Sequence, residues 1–246
     1  MPNDPVFIYP DWPAPKNVKA VTTTRIGGFS GGGYASFNLA DHVGDDLQAV
    51  QKNRLRLQET LKLPAGPVWL NQVHGVRVID VSTASDRTAD GGYSEKVGVV
   101  CAVLSADCLP VFLCDRRGAQ VALVHAGWRG LAAGVIEQGV GFFRAPVSDL
   151  LVWLGPAIGP PAFEVGDEVR QRFMAHDPGS AAAFTANSRN RWYADIYALA
   201  RLRLQDLGID KIYGGDFCTV REQEKFFSYR RSGICGRMAS LIWLES

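Results

Sequence analysis

The chain has 246 residues, of which 47% are hydrophobic and 21% are charged. This composition is typical of a globular protein with enough apolar residues for a substantial core. The formal net charge is +1, so neither a nucleic acid nor a membrane is predicted as a partner. The N-terminal residues lack the pattern of a secretion signal, and no run of ~18 apolar residues predicts a membrane span. The five cysteines are therefore expected to be reduced thiols in a cytoplasmic protein.

The N-terminal part of the chain combines a proline-rich lead-in with a strand and a glycine-rich loop. Residues 1–17 are expected to lie over the surface in an extended conformation. Residues 18–24 are rich in β-branched side chains, which predicts a strand. The loop that follows has five glycines in the seven positions 27–33 and begins with Arg25. Such a loop can turn backbone N–H groups and an arginine toward an anion, or it can be a flexible turn with a surface arginine.

Apolar periodicity and turn residues define the remaining elements. In chain order, the predicted elements are a strand at 18–24, a helix at about 46–62, strands at 68–73, 76–81, 97–105, 111–114 and 121–125, a helix at about 130–144, a strand at 150–154, helices at 167–176 and 194–207, and strands at 211–213 and 238–244. Strands and helices interleave, and one hairpin is evident. The predicted fold is therefore α/β, a single domain over residues 1–246 with mixed β-sheets flanked by helices.

The segment 105–130 contains the predicted hairpin, which carries one cysteine and one histidine. Its strands are separated by Asp115-Arg-Arg-Gly118, a polar stretch with the glycine that a tight turn requires. If the two arginines are the central turn residues, the residues on either side of them pair. Counting back along the ladder then sets Cys108 opposite His125. Side chains opposed in this way have Cβ atoms roughly 4.5–5.5 Å apart, which suits two ligands of one zinc ion or a thiolate beside its base.

His74 is a third potential partner, because it also lies at a break between predicted strands. Catalytic zinc sites use three protein ligands and leave a fourth position open, and mixtures of Cys and His are common in them. The chain has no CxxC pair, no HExxH motif and no fourth obvious ligand, so an open site is favoured over a closed structural one. The alternative is a metal-free Cys108 nucleophile with His125 as its base. A multicopper site is not expected, because the chain has four histidines in total and no His-x-His pair.

Short motifs are spread over nearly the whole chain. They are TRIGGFS (24–30), FNL (37–39), VGD (43–45), NQVHG (71–75), ADCLP (106–110), HAGWRG (125–130), GPAIG (155–159), FEVG (163–166), DFCT (216–219) and FSYRR (227–231). In this order they resemble the motif series of the YfiH/laccase-domain family (DUF152). Each motif alone is weak, but the combination is highly specific.

The resemblance implies a single α/β domain similar to the deamidase domain of cytotoxic necrotizing factor, whose catalytic pair is a cysteine and a histidine. It also implies one zinc ion bound by His74, Cys108 and His125. Purine nucleoside phosphorolysis and adenosine deamination are the activities ascribed to the family. Some bacterial members carry the label peptidoglycan editing factor.

The predicted function is that of a zinc-dependent purine nucleoside enzyme, which phosphorolyses adenosine, inosine, guanosine or methylthioadenosine and deaminates adenosine. A purine nucleoside and phosphate are the expected partners, and the chain is expected to be a monomer or a weak homodimer. The candidate catalytic residues are Asp107 for proton transfer and Arg129 for holding an anion. The candidate substrate-binding residues are Arg25, Asn38, Gln72 and Arg230.

Two other functions fit the same residues. The first is a cysteine-type amidase or hydrolase that acts on peptidoglycan precursors or protein amides, with Cys108 as the nucleophile and His125 as the base. The second is a non-catalytic binding protein in which zinc holds the site closed. The spacing of the residues does not decide between these functions and the nucleoside enzyme.

Overall fold

The computed structural model describes residues 4–246. Its α-helices are α1 (Leu47–Leu61), α2 (Trp128–Ala133), α3 (Val135–Val140), α4 (Asp167–Met174), α5 (Ile196–Asp206) and α6 (Tyr229–Ser232). Its strands are β1 (Phe7–Ile8), β2 (Val18–Thr23), β3 (Val78–Asp80), β4 (Gly91–Ser94), β5 (Cys101–Ser105), β6 (Leu109–Asp115), β7 (Val121–Ala126), β8 (Leu150–Leu154), β9 (Glu164–Val165), β10 (Phe184–Ala186), β11 (Trp192–Ala194), β12 (Ile212–Gly214) and β13 (Met238–Leu244). Short 3₁₀ helices span Gly32–Tyr34, Val147–Asp149, Pro160–Ala162 and Pro178–Ala183.

The strands of the described residues form three sheets. The largest has six strands in the order β12-β8-β6-β7-β4-β3, with a parallel pair at each edge and antiparallel pairs between them. A four-stranded antiparallel sheet has the order β1-β2-β13-β5, and a small antiparallel sheet has the order β10-β11-β9. The predicted α/β fold with mixed sheets flanked by helices is confirmed.

The six-stranded sheet is buried on both faces, because side chains along each strand alternate between two cores. Phe112 of β6 packs in the core shared with the four-stranded sheet, which includes Ile242. Its neighbour Val111 packs in the other core, together with helix residues such as Ile136. The opposite face of the four-stranded sheet is covered by α1 through Leu57. The molecule therefore has four layers. Helices such as α3 cover the six-stranded sheet, this sheet packs on the four-stranded sheet, and α1 covers the other face of the four-stranded sheet.

Two predicted elements differ from the observed ones. The helix expected at about 130–144 is interrupted at Gly134, which has a φ of 100° and ends α2 before α3 begins. The segment 68–73 is not a strand and makes isolated bridges at Val68 and Asn71. In the lead-in, residues 1–3 lie outside the described residues, and Phe7–Ile8 add an edge strand to the four-stranded sheet. None of the helices in residues 4–246 has the length and apolarity needed to cross a membrane.

The strand directions gather four chain segments at one end of the six-stranded sheet. Both β4 and β6 run antiparallel to β7, and β3 runs parallel to β4. The starts of β3, β4 and β6 therefore lie beside the end of β7. The residues that precede these three strands can contact the last residues of β7, although they are far apart in sequence.

Candidate metal centre and its cavity

Three side chains with metal-binding atoms meet at this end of the sheet. His125 lies within β7, Cys108 directly precedes β6, and His74 lies in the loop before β3. Their ligand atoms lie within 4.8 Å of one another, and Cys108 Sγ is 3.8 Å from His74 Nε2. Two ligands of one tetrahedral zinc ion are about 3.5 Å apart. The three side chains are therefore close enough together that small side-chain adjustments would let them share one metal ion.

The hairpin brings Cys108 to His125 in a register that differs from the predicted one. Pro110 pairs with His125, because the turn is longer than two residues and Asp115 N–H donates to the carbonyl of Gln120. The predicted register was wrong by two residues. A shift of two residues keeps every side chain on its predicted face, so Cys108 still lies beside His125.

One buried carboxylate, that of Asp90 just before β4, contacts both histidines. Its Oδ1 accepts hydrogen bonds from His125 Nδ1 and from the backbone N–H of His74, each at 2.9 Å. Its Oδ2 accepts from the N–H groups of Gly75 at 2.7 Å and Val73 at 3.2 Å. The other ring nitrogen of His125, Nε2, is thereby left for a ligand.

The charges around Cys108 favour a thiolate. Burial alone would raise the pKa of its thiol, but the nearby imidazoles of His125 and His74 outweigh burial and lower it. Burial would lower the pKa of His125, but the Cys108 thiolate and the carboxylate beside the ring outweigh burial and raise it. Burial instead raises the pKa of Cys101 and Cys114. The thiolate is the form of cysteine that binds metal ions and acts as a nucleophile.

Gly127, directly after β7, leaves room for this cluster. A Cβ at this position would lie 2.8 Å from His74 Cδ2 and 3.2 Å from Cys108 Sγ. Both distances are shorter than ordinary contacts between such atoms. A thiolate and two imidazoles are a donor set that zinc binds, with a fourth position left open. The residues present therefore fit a zinc ion.

The cluster lies in the wall of a cavity of about 620 Å³, a size common for small-molecule sites. The other lining residues are His42, Gln72, Leu104, Ser105, Ala106, Asp107, Trp128, Arg129, Ile158, Phe163, Ile196, Tyr229, Arg230 and Arg237. Apolar and aromatic side chains thus line the cavity together with a few cationic groups. This combination suits a ligand with an aromatic ring and an anionic partner.

The three arginines of the cavity differ in what they bind within the protein. The guanidinium groups of Arg230 and Arg237 donate to backbone carbonyl groups. Within residues 4–246, the guanidinium group of Arg129 has no hydrogen bond or ion pair, and it stacks on Trp128 at 4.5 Å. Arg129 therefore has donors available for a ligand.

Asp107 lines the cavity together with the candidate metal cluster and the arginines. Its carboxylate accepts hydrogen bonds from Thr219 Oγ1 at 2.6 Å and from the backbone N–H of Arg230 at 2.7 Å. Nearby, Ser105 has a buried hydroxyl that lacks a hydrogen-bond partner within the described residues. The cavity wall thus contains a carboxylate next to Cys108.

The structure does not bring Arg25 and Asn38 into the cavity. Arg25 donates through Nε and Nη2 to the carbonyl of Ala35, and Asn38 is fully buried and bonds to main-chain groups. Gln72 lines the cavity, but its amide donates to the carbonyl of Leu104 and accepts from the N–H of the same residue. The donors that these three residues were expected to offer a substrate are occupied within the protein.

Sequence reasoning missed the carboxylate that contacts both histidines. Asp90 lies in a polar loop among other acidic and hydroxyl side chains, and no spacing distinguishes it from them. The pairing of β4 with β7 places it beside His125, so its role depends on tertiary structure. Arg237 was missed for the same reason, whereas Tyr229 lies in the FSYRR motif (227–231) and Trp128 lies in the same motif as His125 and Arg129.

A family model described as multi-copper polyphenol oxidoreductase laccase matches residues 19–245. The chain belongs to this family. The family assignment predicted from the motifs is confirmed.

Relatives and solved structures match the chain over nearly its whole length. Purine nucleoside phosphorylase YfiH of Escherichia coli is 53% identical over 240 residues, which are 97% of this chain and 98% of the relative. Purine nucleoside phosphorylase PA4543 of Pseudomonas aeruginosa is 50% identical over 240 residues, with the same coverage of 97% and 98%. The structure of Neisseria meningitidis protein NMB0706, of DUF152, has a TM-score of 0.94 and 47% identity, and the match covers 98% of this chain and 99% of that one. YlmD from Geobacillus stearothermophilus has a TM-score of 0.88 and 33% identity, with coverage of 94% and 93%.

Proposed function

We propose that the protein is a zinc-dependent purine nucleoside enzyme, which phosphorolyses adenosine, inosine, guanosine or methylthioadenosine and deaminates adenosine. The observation that carries this proposal is the cluster of His74, Cys108 and His125 in the wall of a cavity of about 620 Å³. The names of the relatives, which are 53% and 50% identical, support a purine nucleoside as the substrate and phosphate as its co-substrate.

Zinc is the proposed metal ion. The donor set of one thiolate and two imidazoles suits zinc, and three protein ligands leave a fourth position for an exogenous group. When bound at such a site, zinc supplies a Lewis acid that polarises oxygen atoms and lowers the pKa of water toward ~7. We do not propose a multicopper centre, because the chain has four histidines in total and such centres need many imidazoles.

Arg129 is proposed to bind phosphate during phosphorolysis. In this reaction a phosphate oxygen forms a bond to C1′ of the ribose while the bond from C1′ to the purine nitrogen breaks. The products are ribose 1-phosphate and the purine base, whose nitrogen takes up a proton. The guanidinium group of Arg129 forms no hydrogen bond or ion pair within residues 4–246 and stacks on Trp128, and guanidinium groups bind phosphate through paired hydrogen bonds. Arg230 adds a second positive charge to the same wall.

Asp107 is proposed to move protons during deamination. Water adds to C6 of the purine and ammonia leaves, so protons must pass from the water oxygen to the amino nitrogen. Asp107 lines the cavity and directly precedes Cys108. A carboxylate has about four lone-pair sites, and the hydrogen bonds from Thr219 and Arg230 use two of them. A carboxylate with sites to spare can accept and return a proton.

Purified protein of known metal content, incubated with adenosine in the presence and absence of phosphate, tests the proposal. We expect adenine and ribose 1-phosphate when phosphate is present, inosine when it is absent, and one zinc ion per chain. Cys108→Ala should lose zinc and both activities. Cys114→Ala, which removes a buried thiol from β6 away from the cavity, should keep them. A zinc-loaded protein that converts no purine nucleoside would contradict the proposal.

A cysteine-type amidase or hydrolase, acting for example on peptidoglycan precursors, is the second candidate. The lowered pKa of Cys108 beside the imidazole of His125 favours it, because a thiolate next to a histidine is the arrangement of a cysteine nucleophile. Alkylation with iodoacetamide separates the two functions. A zinc-bound thiolate should react after chelation of the metal, whereas a free nucleophile should react at the same rate before and after chelation.

A further inference from the structure

We propose that Asp90 is a positioning residue that holds both histidines of the metal centre in place, an inference that rests on the zinc site of the proposed function. Its carboxylate is fully buried and receives four N–H groups from two separate chain segments. The backbone of Asp90 is itself fixed, since its carbonyl accepts a hydrogen bond of 2.7 Å from the N–H of His125. One side chain therefore joins the loop that carries His74 to the strand that carries His125.

The loop that carries His74 depends on this carboxylate for its shape. The consecutive N–H groups of Val73, His74 and Gly75 all donate to Asp90. His74 has a φ of 59°, a left-handed conformation that costs a non-glycine residue about 1–2 kcal/mol. His74 is exposed, and its ring contacts the ring of His125 and the sulfur of Cys108. The three hydrogen bonds hold the backbone of this loop in the conformation from which the ring of His74 reaches Cys108.

The ring of His125 depends on the same carboxylate for its protonation pattern. An ionised carboxylate only accepts hydrogen bonds, so the contact of 2.9 Å between Asp90 Oδ1 and His125 Nδ1 places the proton on Nδ1. The lone pair of a neutral ring then lies on Nε2, the atom that remains for a metal ion. Carboxylates that orient metal-binding histidines in this way typically contribute 10–100-fold to metal affinity.

An amide group has the same shape as this carboxylate but a different hydrogen-bonding capacity. In Asp90→Asn, the NH₂ group must face one of the two pairs of donors. It opposes either the N–H groups of Val73 and Gly75 or those of His74 and His125. In the first case the loop is released, and in the second the ring of His125 loses its orientation. Either outcome displaces one metal ligand.

The test compares zinc affinity, measured by competition with a chromogenic chelator, in the wild type, Asp90→Asn and Asp115→Asn. Asp115 is the matched control, since it is a buried carboxylate that accepts two backbone N–H groups at the far end of β6. We expect Asp90→Asn to bind zinc 10–100-fold more weakly and Asp115→Asn to keep the affinity of the wild type. Equal affinity in Asp90→Asn and the wild type would overturn the inference.

Amide hydrogen exchange of the zinc-free wild type gives a second readout that needs no variant. The inference predicts slow exchange at Val73, His74 and Gly75, because Asp90 binds these amides before any metal does. Exchange as fast as in an open loop would overturn it. If the wild type binds no zinc, the proposed zinc enzyme fails, and the exchange of these three amides still decides whether Asp90 holds the loop.

Discussion

Cys108 differs from the cysteines of the core in the charges that surround it. Two imidazoles lower the pKa of Cys108 against the effect of burial, whereas burial raises the pKa of Cys101 and Cys114. The sequence placed all three in or beside apolar strands and distinguished Cys108 by its position at a strand end. That position matters because side chains at strand ends reach a cavity, while those within strands pack in the core.

Gly127→Ala tests how tightly the metal cluster is packed. The added Cβ would lie 2.8 Å from His74 Cδ2, so the ring must move away from Cys108. A displacement of about 1 Å at a catalytic group can lower turnover by about 10²-fold, and we expect a loss of this order in kcat/KM together with weaker zinc binding. Gly31→Ala is the control, since nothing lies within 4 Å of its added Cβ. Unchanged zinc affinity in Gly127→Ala would show that the cluster has more room than the structure indicates.

Arg129→Gln tests the proposed phosphate contact. The substitution removes a charged donor but keeps a side chain that can cover Trp128. Hydrogen bonds to charged groups contribute about 1.5–3 kcal/mol, so we expect the KM for phosphate to rise about ten- to a hundredfold and the KM for the nucleoside to change less. Steady-state assays at varied phosphate measure this split. Arg117→Gln, in the exposed turn after β6, is the control, and an equal effect of the two variants would contradict the proposed contact.

Helices α2 and α3 show how a glycine can divide one apolar pattern into two elements. The apolar positions of residues 130–144 continue across Gly134, so the sequence predicts one helix. The residue adopts a φ of 100°, which ends the first helix with a left-handed turn and redirects the second. A glycine within a helical pattern is compatible with a continuous helix or with such a break, and the packing of both segments on β7 decides between them.

Gly134→Ala should lower the free energy of unfolding, since an alanine in a left-handed conformation costs about 1–2 kcal/mol. Denaturation by urea measures the change. Gly141→Ala is the matched control. Gly141 ends α3 in the right-handed helical conformation, with a φ of −61°, which alanine adopts readily. A stability of Gly134→Ala equal to that of the control would mean that α2 and α3 can merge into one helix.

The hairpin of β6 and β7 was predicted in its strands but not in its register. Apolar β-branched residues define the strands, and the polar stretch between them defines a turn. The length of that turn depends on the carboxylate of Asp115, which accepts the N–H groups of Ala119 and Gln120. The Asp115 side chain thereby stabilises a four-residue loop, whereas the sequence alone predicts a two-residue loop.

Over the whole molecule, the three side chains of the candidate metal centre could be predicted from the sequence, while most of the cavity around them could not. One cysteine and two histidines at the ends or breaks of predicted strands are a recognisable set of metal-binding residues. The family motifs contain all three of them. Arg25 at the start of the glycine-rich loop was expected to bind an anion, but its guanidinium group donates to the carbonyl of Ala35, and the N–H groups of residues 27–29 donate to Ser36 and Asn53. The cationic wall of the cavity contains Arg129 and Arg230, which were candidates from the sequence, and Arg237, which the fold brings beside them from a distant segment.

The most direct measurement of the metal centre is anomalous diffraction at the zinc absorption edge from crystals soaked with inosine. We expect one anomalous peak within bonding distance of Cys108 Sγ and of Nε2 of both His74 and His125, with the nucleoside in the adjoining cavity beside Arg129. The absence of a peak at these three atoms, or a nucleoside bound elsewhere on the protein, would contradict a zinc-dependent purine nucleoside site.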